Sequence, residues 1–288
     1  MKPDVDCAAC ILKWVYQRAR VLSDEEERFY LIKEILGVLS SEFCAESNMG
    51  LICNKATESI SEFIMASAEY YEEFKIKSNK HVGGLLPAAR DYIQRGKTPD
   101  KRFERACCLA SVANVAPIGA PSDAYSFAEV ENIMMGRGPM PVVIGDVYKA
   151  AKGAANVLYI VDNAGEIGFD FLVIESLKEM GLKVTLIVKE ESYFEDATIK
   201  DASFFALDEL ADKILIVKGV FVPGESIPTI HDAFKQSDLV IAKGTGNYEA
   251  LADELVDKAA IFMLKVKCGP VAKNIGVEIG NFVVKLVK

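Results

Sequence analysis

From Gly136-Arg137-Gly138-Pro139-Met140-Pro141 to the C-terminus, short apolar runs alternate with helical patterns, and this alternation constrains the fold most. The runs at 157–161, 183–188, 213–217 and 238–242 are rich in Val, Ile and Leu, as strands buried on both faces of a parallel sheet must be. Runs at 262–266 and 282–287 read as closing strands. The expected α/β fold is a wound, mostly parallel α/β/α sheet of Rossmann-like type. Before it, residues 1 to about 110 read as helical. Apolar positions recur at helical spacing in Ile11, Leu12, Val15 and Tyr16, and again from Phe29 to Leu39 behind the acidic start Ser23-Asp24-Glu25-Glu26-Glu27. A third helix is expected over 56–71, loops at Gly83-Gly84 and at 96–100, and another helix from Arg105 towards Asn114. The expected organisation is an α-helical domain, 1–125, forming one wall of the site, and an α/β domain, 126–288, carrying its chemistry.

The strand at 157–161 runs into Asp162-Asn163-Ala164-Gly165-Glu166-Ile167-Gly168, after which a helical pattern begins. Open α/β sheets hold ligands at the carboxyl ends of such strands. Two adjacent oxygen donors there suit a divalent cation, although Asp162 and Asn163 also fit a turn and a helix cap. Asp196-Ala197-Thr198 follows the second strand, and Lys243-Gly244-Thr245-Gly246-Asn247-Tyr248-Glu249 follows the fourth. In a parallel sheet Asp162, Asn163, Asp196 and Lys243 gather at one rim. Such a set suits metal-assisted phosphoryl chemistry, with oxygen ligands for the cation and a lysine plus glycine amides for phosphate oxygens. Glu166 is a candidate to orient a ligand or water, with a helix-start acid as its plain alternative. Asn247 likewise reads as a substrate contact or a cap, and Lys243 as a phosphate ligand or a solvated lysine. His231 and Asp232 read as structural.

Together these segments resemble the damage-control phosphatase family, in particular its short archaeal members. The resemblance rests on Asp162-Asn163-Ala164-Gly165-Glu166, Asp196-Ala197-Thr198, Lys243-Gly244-x-Gly246-Asn247-Tyr248-Glu249 and Lys267-Cys268-Gly269-Pro270-Val271-Ala272. Cys7-Ala8-Ala9-Cys10 and Lys77-Ser78-Asn79 extend it over nearly the whole chain. It implies a metal-dependent phosphatase of small phosphorylated metabolites, with metal ligands at Asp162, Asn163 and Asp196 and a phosphate-holding lysine at Lys243. Asn114 and Gly244 join the implied substrate site. The chain departs from the family's Gly-Asn-x-x-Asp pattern in Ala113-Asn114-Val115-Ala116-Pro117, where Pro117 replaces the acid. The expected mechanism is hydrolysis at one cation, by water or by direct attack of Asp162 or Asp196. All-oxygen ligands favour magnesium, manganese or a similar transition metal over zinc.

A net charge of −9 disfavours nonspecific nucleic-acid binding. No uninterrupted apolar run of about 18 residues occurs, so no membrane span is expected. The polar start is unlike a signal peptide, and the expected location is cytoplasmic. Seven cysteines without a secretory signal argue against a disulfide framework. Cys44, Cys53, Cys107, Cys108 and Cys268 read as small core residues, while Cys7-x-x-Cys10 leaves structural, redox and intersubunit-metal roles open. Gly165-Glu166-Ile167-Gly168 offers only G-x-x-G, which weakens an S-adenosylmethionine methyltransferase reading without removing it. A metabolite-binding protein without turnover is the third class.

Overall fold

The computed structural model describes residues 1–116, 125–191, 193–255 and 258–288; Pro117 lies outside them. Helices come first: α1 (Val5–Leu22), α2 (Glu25–Glu42), α3 (Met49–Ser59), α4 (Ser61–Ala66), α5 (Ala68–Gln94), α6 (Pro99–Val112) and α7 (Ala128–Met134). Asp24 caps α2 by accepting from the Glu27 amide at 2.8 Å, with three glutamates in the first turn facing the positive end of the helix dipole.

The expected helix over 56–71 is broken into α3, α4 and the start of α5 by turns at Ile60 and Ser67. The expected loop at Gly83-Gly84 is instead helical, inside α5, which also contains Pro87. Two glycines cost a helix about 1 kcal/mol each. Val82 and Ala89 are fully buried in the core beside them, and that burial outweighs the cost.

Strands and helices then alternate. β1 (Val142–Ile144) and α8 (Val147–Lys152) precede β2 (Asn156–Ile160), α9 (Ile167–Glu179) and β3 (Lys183–Lys189). Next come α10 (Ile199–Phe204), α11 (Leu207–Leu210), β4 (Lys213–Val217), α12 (Pro228–Gln236), β5 (Leu239–Lys243) and α13 (Gly244–Leu251). β6 (Ala259–Lys265), α14 (Gly269–Ile275) and β7 (Phe282–Val287) close the chain. The strand order is β1-β7-β6-β5-β2-β3-β4, parallel except where β7 pairs antiparallel with β6. β1, at three residues, is too short an edge strand to show as an apolar run.

Side chains alternate across the sheet as a pleat requires. Val157, Tyr159, Val161 and Ile241 pack with α5, α6 and α9, whereas Leu158, Ile160, Val240 and Ala242 pack with α12, α13 and α14. A third cluster joins α1 to α5 and includes Phe194 from the segment after β3. Strand order reverses between β2 and β5, which lie side by side with Ile160 opposite Ala242. Their carboxyl ends therefore diverge into a crevice at the place where open α/β sheets bind ligands. Among the described residues, no helix is long and apolar enough to cross a membrane.

Candidate functional site

Asp162 and Asn163 leave β2 at this crevice, and Asp196 returns to them from the segment after β3. Asn163 and Asp196 form an isolated antiparallel bridge, and the Ala197 amide donates to the Asp162 carbonyl at 2.8 Å. Backbone pairing thus brings together three oxygen-bearing side chains from two separate strand ends. Asp162 Oδ2 accepts from Asn114 Nδ2 and Asn163 Nδ2, each at 2.8 Å. Asn163 Nδ2 also reaches Glu166 Oε2 at 3.3 Å, so its nitrogen is committed to the two carboxylates.

Gly244 makes room for this carboxylate. Its φ is +80°, and a Cβ there would stand 1.9 Å from Asp162 Oδ2. Gly165, at φ +77°, makes the turn after the pair, and its amide donates to Asn79 Oδ1 at 2.7 Å. Asn79 in turn donates to Asp201 at 2.8 Å, and Lys75 pairs with Asp201 at 2.8 Å, so α5 braces the turn.

Behind these groups lies a buried ionic cluster. Lys243, fully buried, pairs with Glu166 at 2.9 Å and with Asp170 at 3.1 Å. Burial works against its ammonium, but the two carboxylates prevail and hold its pKa above the usual lysine value. Tyr159 donates to Asp170 at 2.7 Å. Burial raises both carboxyls against the pull of Lys243, and neighbouring carboxylates raise them further. Asp170 was not singled out from sequence; its signal is the spacing from Glu166, four residues on along one helix face.

The crevice opens into a cavity of about 400 Å³ whose lining includes Asp162, Asn163, Asp196, Thr245, Asn247 and Lys267. Asn247 donates to the Val161 and Lys243 carbonyls at 3.1 and 2.7 Å, leaving a buried Oδ1 with no partner among the described residues. Asn114, Glu166, Lys243 and Gly244 are buried behind the lining. The structure therefore differs from an arrangement in which Asn114 and Lys243 reach into the cavity. The Asn114 nitrogen is spent on Asp162 and Glu166, its oxygen accepts from the Lys265 amide at 3.2 Å, and the Lys243 ammonium is saturated by carboxylates.

Arg18, Lys189 and Lys267 line the cavity; Arg18 pairs with Glu195 and Lys189 with Asp196, whereas Lys267 forms no ion pair among the described residues. Burial lowers its pKa, opposed by Asp162, Glu166 and Glu195. It stands in a segment quoted above for resemblance alone, with no signal of its own chemistry. Asp196 pairs with Lys189 at 3.5 Å, and burial pushes its carboxyl up to about 7, with Asp162 adding to the rise. Cys7, Cys10, Cys53 and Cys268 line the cavity, and Cys107 and Cys108 sit in the core as expected. Cys44 is exposed, because it falls in the turn after α2 rather than on an apolar face.

A sequence model described as the damage-control phosphatase ARMT1-like domain matches residues 4–283. The chain belongs to the damage-control phosphatase family. It is 29% identical over 293 residues to a damage-control phosphatase of Archaeoglobus fulgidus, covering all of both chains. It is 32% identical to a protein of Methanocaldococcus jannaschii described as uncharacterized, covering 98% of this chain and 93% of that one. A damage-control phosphatase of Pyrococcus horikoshii is 32% identical over 222 residues, 73% of this chain and 72% of the other. The crystal structure of a DUF89 family protein from P. horikoshii superposes with a TM-score of 0.80 at 26% identity, each chain covered completely.

Proposed function

We infer that this chain is a divalent-cation-dependent phosphatase of small phosphorylated metabolites, with residues 126–288 carrying the chemistry and the helices of 1–125 walling the cavity. The observation that carries this reading is the Asp162-Asn163-Asp196 set at the sheet's switch point, open to a cavity that also holds Lys267. Among the described residues, no group of three or more His, Cys, Asp and Glu side chains is placed to hold a metal. Two carboxylates and an amide oxygen fit a hard cation instead, magnesium, manganese or a similar transition metal, which suits the crowding of Asp162 against Asp196 and Glu166. When bound, the cation supplies Lewis-acid polarisation of the phosphoryl group.

The chain's own residues do the rest. Lys267 and the first amides of α13, at Thr245 and Gly246, meet the phosphoryl oxygens, as a helix N-terminus and a compact ammonium suit an anion. Asn247 offers its unpartnered Oδ1 to a substrate hydroxyl or an ordered water. Asn114 and Gly244 fix the Asp162 carboxylate, whose Oδ2 already accepts two hydrogen bonds, an arrangement suited to a ligand more than to an attacking nucleophile. Lys243 acts as a positioning residue that holds Glu166 and Asp170 in place. The family assignment favours phosphatase chemistry over S-adenosylmethionine binding.

Phosphate release from small phosphomonoesters with Mn²⁺, Mg²⁺ and chelator tests the reading. Release is expected only with a cation, and turnover undiminished in chelator rejects it. Lys267→Ala is expected to keep cation binding and lower kcat/KM on the order of a hundredfold, the cost of one preorganised charge contact. Rates within about twofold of the parent remove Lys267 from the phosphate site.

Acid should weaken cation binding. The Asp196 carboxyl sits near 7 without metal, so each pH unit below that should cost about tenfold in affinity through competition with one proton. The sign for stability is opposite. A carboxyl held above its unfolded value stabilises the metal-free protein fully below about 4, and that stabilisation is lost as pH rises through about 7. Melting curves at pH 6 and pH 8, with and without Mn²⁺, should show the cation's stabilising effect growing with pH. An effect independent of pH excludes Asp196 from the ligand set.

A further inference from the structure

Ile11, Trp14, Met49, Ala56 and Phe194 give the cavity an apolar wall. Cys7, Cys10, Cys53 and Cys268 share this wall, and burial raises the pKa of each thiol, so they meet the cavity as neutral, weakly polar groups.

Several polar side chains on the wall are already engaged. Arg18 is held by Glu195 and lies over the rings of Trp14 and Phe194, 4.8 and 4.7 Å from their centroids. Asn54 donates to the Val220 carbonyl at 2.9 Å and accepts from the Val220 amide at 2.7 Å. The Thr57 hydroxyl donates to the Cys53 and Asn54 carbonyls at 3.1 and 2.9 Å. Glu249, at the cysteine end, and Asp6, exposed in the first turn of α1, form no ion pair among the described residues.

A polyhydroxylated alcohol entering here gives up hydrogen bonds to water and finds few in return, at a cost for every unpaired hydroxyl. An alkyl or aryl body exchanges water for carbon and sulfur contacts. We propose that the phosphomonoester cleaved at this site carries an apolar alkyl or aryl alcohol portion, seated against Trp14, Phe194 and Met49. The proposal rests on the phosphatase reading and adds the class of leaving group. Hydrolysis breaks the P–O bond to that alcohol; water supplies the oxygen of the new P–O bond and the proton with which the alcohol departs.

Initial rates on hexyl phosphate and on a hexitol 6-phosphate test it, both being primary phosphomonoesters with six carbons. With Mn²⁺ present, kcat/KM for the hexyl ester is expected to be higher by about tenfold or more, the scale of methylene discrimination in an apolar pocket, and to differ mainly through KM. Trp14→Ala should narrow that ratio and Trp14→Phe should keep it. Cys10→Asn, at a half-buried position, sets an amide into the wall and should narrow the ratio too, which serves if Trp14→Ala fails to fold. A hexitol ester cleaved as well as the hexyl ester, or a ratio that neither variant moves, overturns the apolar class and leaves the phosphatase standing. Release from neither ester with any divalent cation overturns the phosphatase reading, and this proposal with it.

Discussion

Asp162→Ala is expected to abolish turnover, by about a thousandfold or more, and to remove the bound cation with it. A cation in a phosphoryl-transfer site supplies several kcal/mol of transition-state stabilisation, and each 1.36 kcal/mol is tenfold in rate. The same variant should leave the metal-free fold nearly as stable as the parent. It removes one negative charge from a site that also holds Asp196, Glu166 and Asp170, and Asn114 and Asn163 still reach Glu166 at 3.0 and 3.3 Å. What it should lose is stabilisation by cation, about 2.7 kcal/mol at a hundred times Kd in the parent. Calorimetric melts with and without Mn²⁺, beside phosphate-release rates, check both halves. A variant that retains its cation and its rate makes Asp162 a turn residue only.

Lys243→Met should act on stability first. It strips the counter-ion from Glu166 and Asp170, both buried, and breaking a buried ion pair from one side costs about 3–5 kcal/mol. The loss should be greater at pH 8 than at pH 6, because both carboxyls are already raised and take up protons more readily once the ammonium is gone. Urea unfolding of the metal-free protein at the two pH values measures this. If stability stays within about 1 kcal/mol while kcat/KM falls on the order of a hundredfold, the ammonium faces substrate, as its place at the end of the fourth run had suggested.

Lys243 also shows where sequence reasoning stops. That a lysine closes the fourth run, beside the strand ending in Asp162, was legible, because parallel strands put their carboxyl ends together. Its direction at the rim was not, since that depends on the twist and register of β5 and on Asp170, one turn into α9. The metal candidates were legible for the converse reason. Asp162 and Asn163 are adjacent in sequence, and Asp196 is returned to them by backbone pairing, so their meeting depends little on side-chain detail. Lys267 follows a strand whose partner β7 runs antiparallel, and no periodicity marks its side chain. Helix α5 hid behind its two glycines, whose punctuation is outweighed only by burial against α6 and the more distant α9.

Arg18 joins α1 to Glu195, the residue before Asp196. Phe194, next to Glu195, holds a left-handed φ of 58°, a strain of about 1–3 kcal/mol offset by its buried ring among Trp14, Phe63 and Tyr71. Three consecutive residues thus serve three masters: Phe194 the cavity wall, Glu195 the first helix, Asp196 the proposed cation site. Arg18→Met, which cuts the tie to the first helix, is expected to alter cation affinity and KM together, and titration with Mn²⁺ beside initial rates checks this. The wall of the cavity and the proposed cation ligand then hang on one short stretch of backbone, anchored by the first helix.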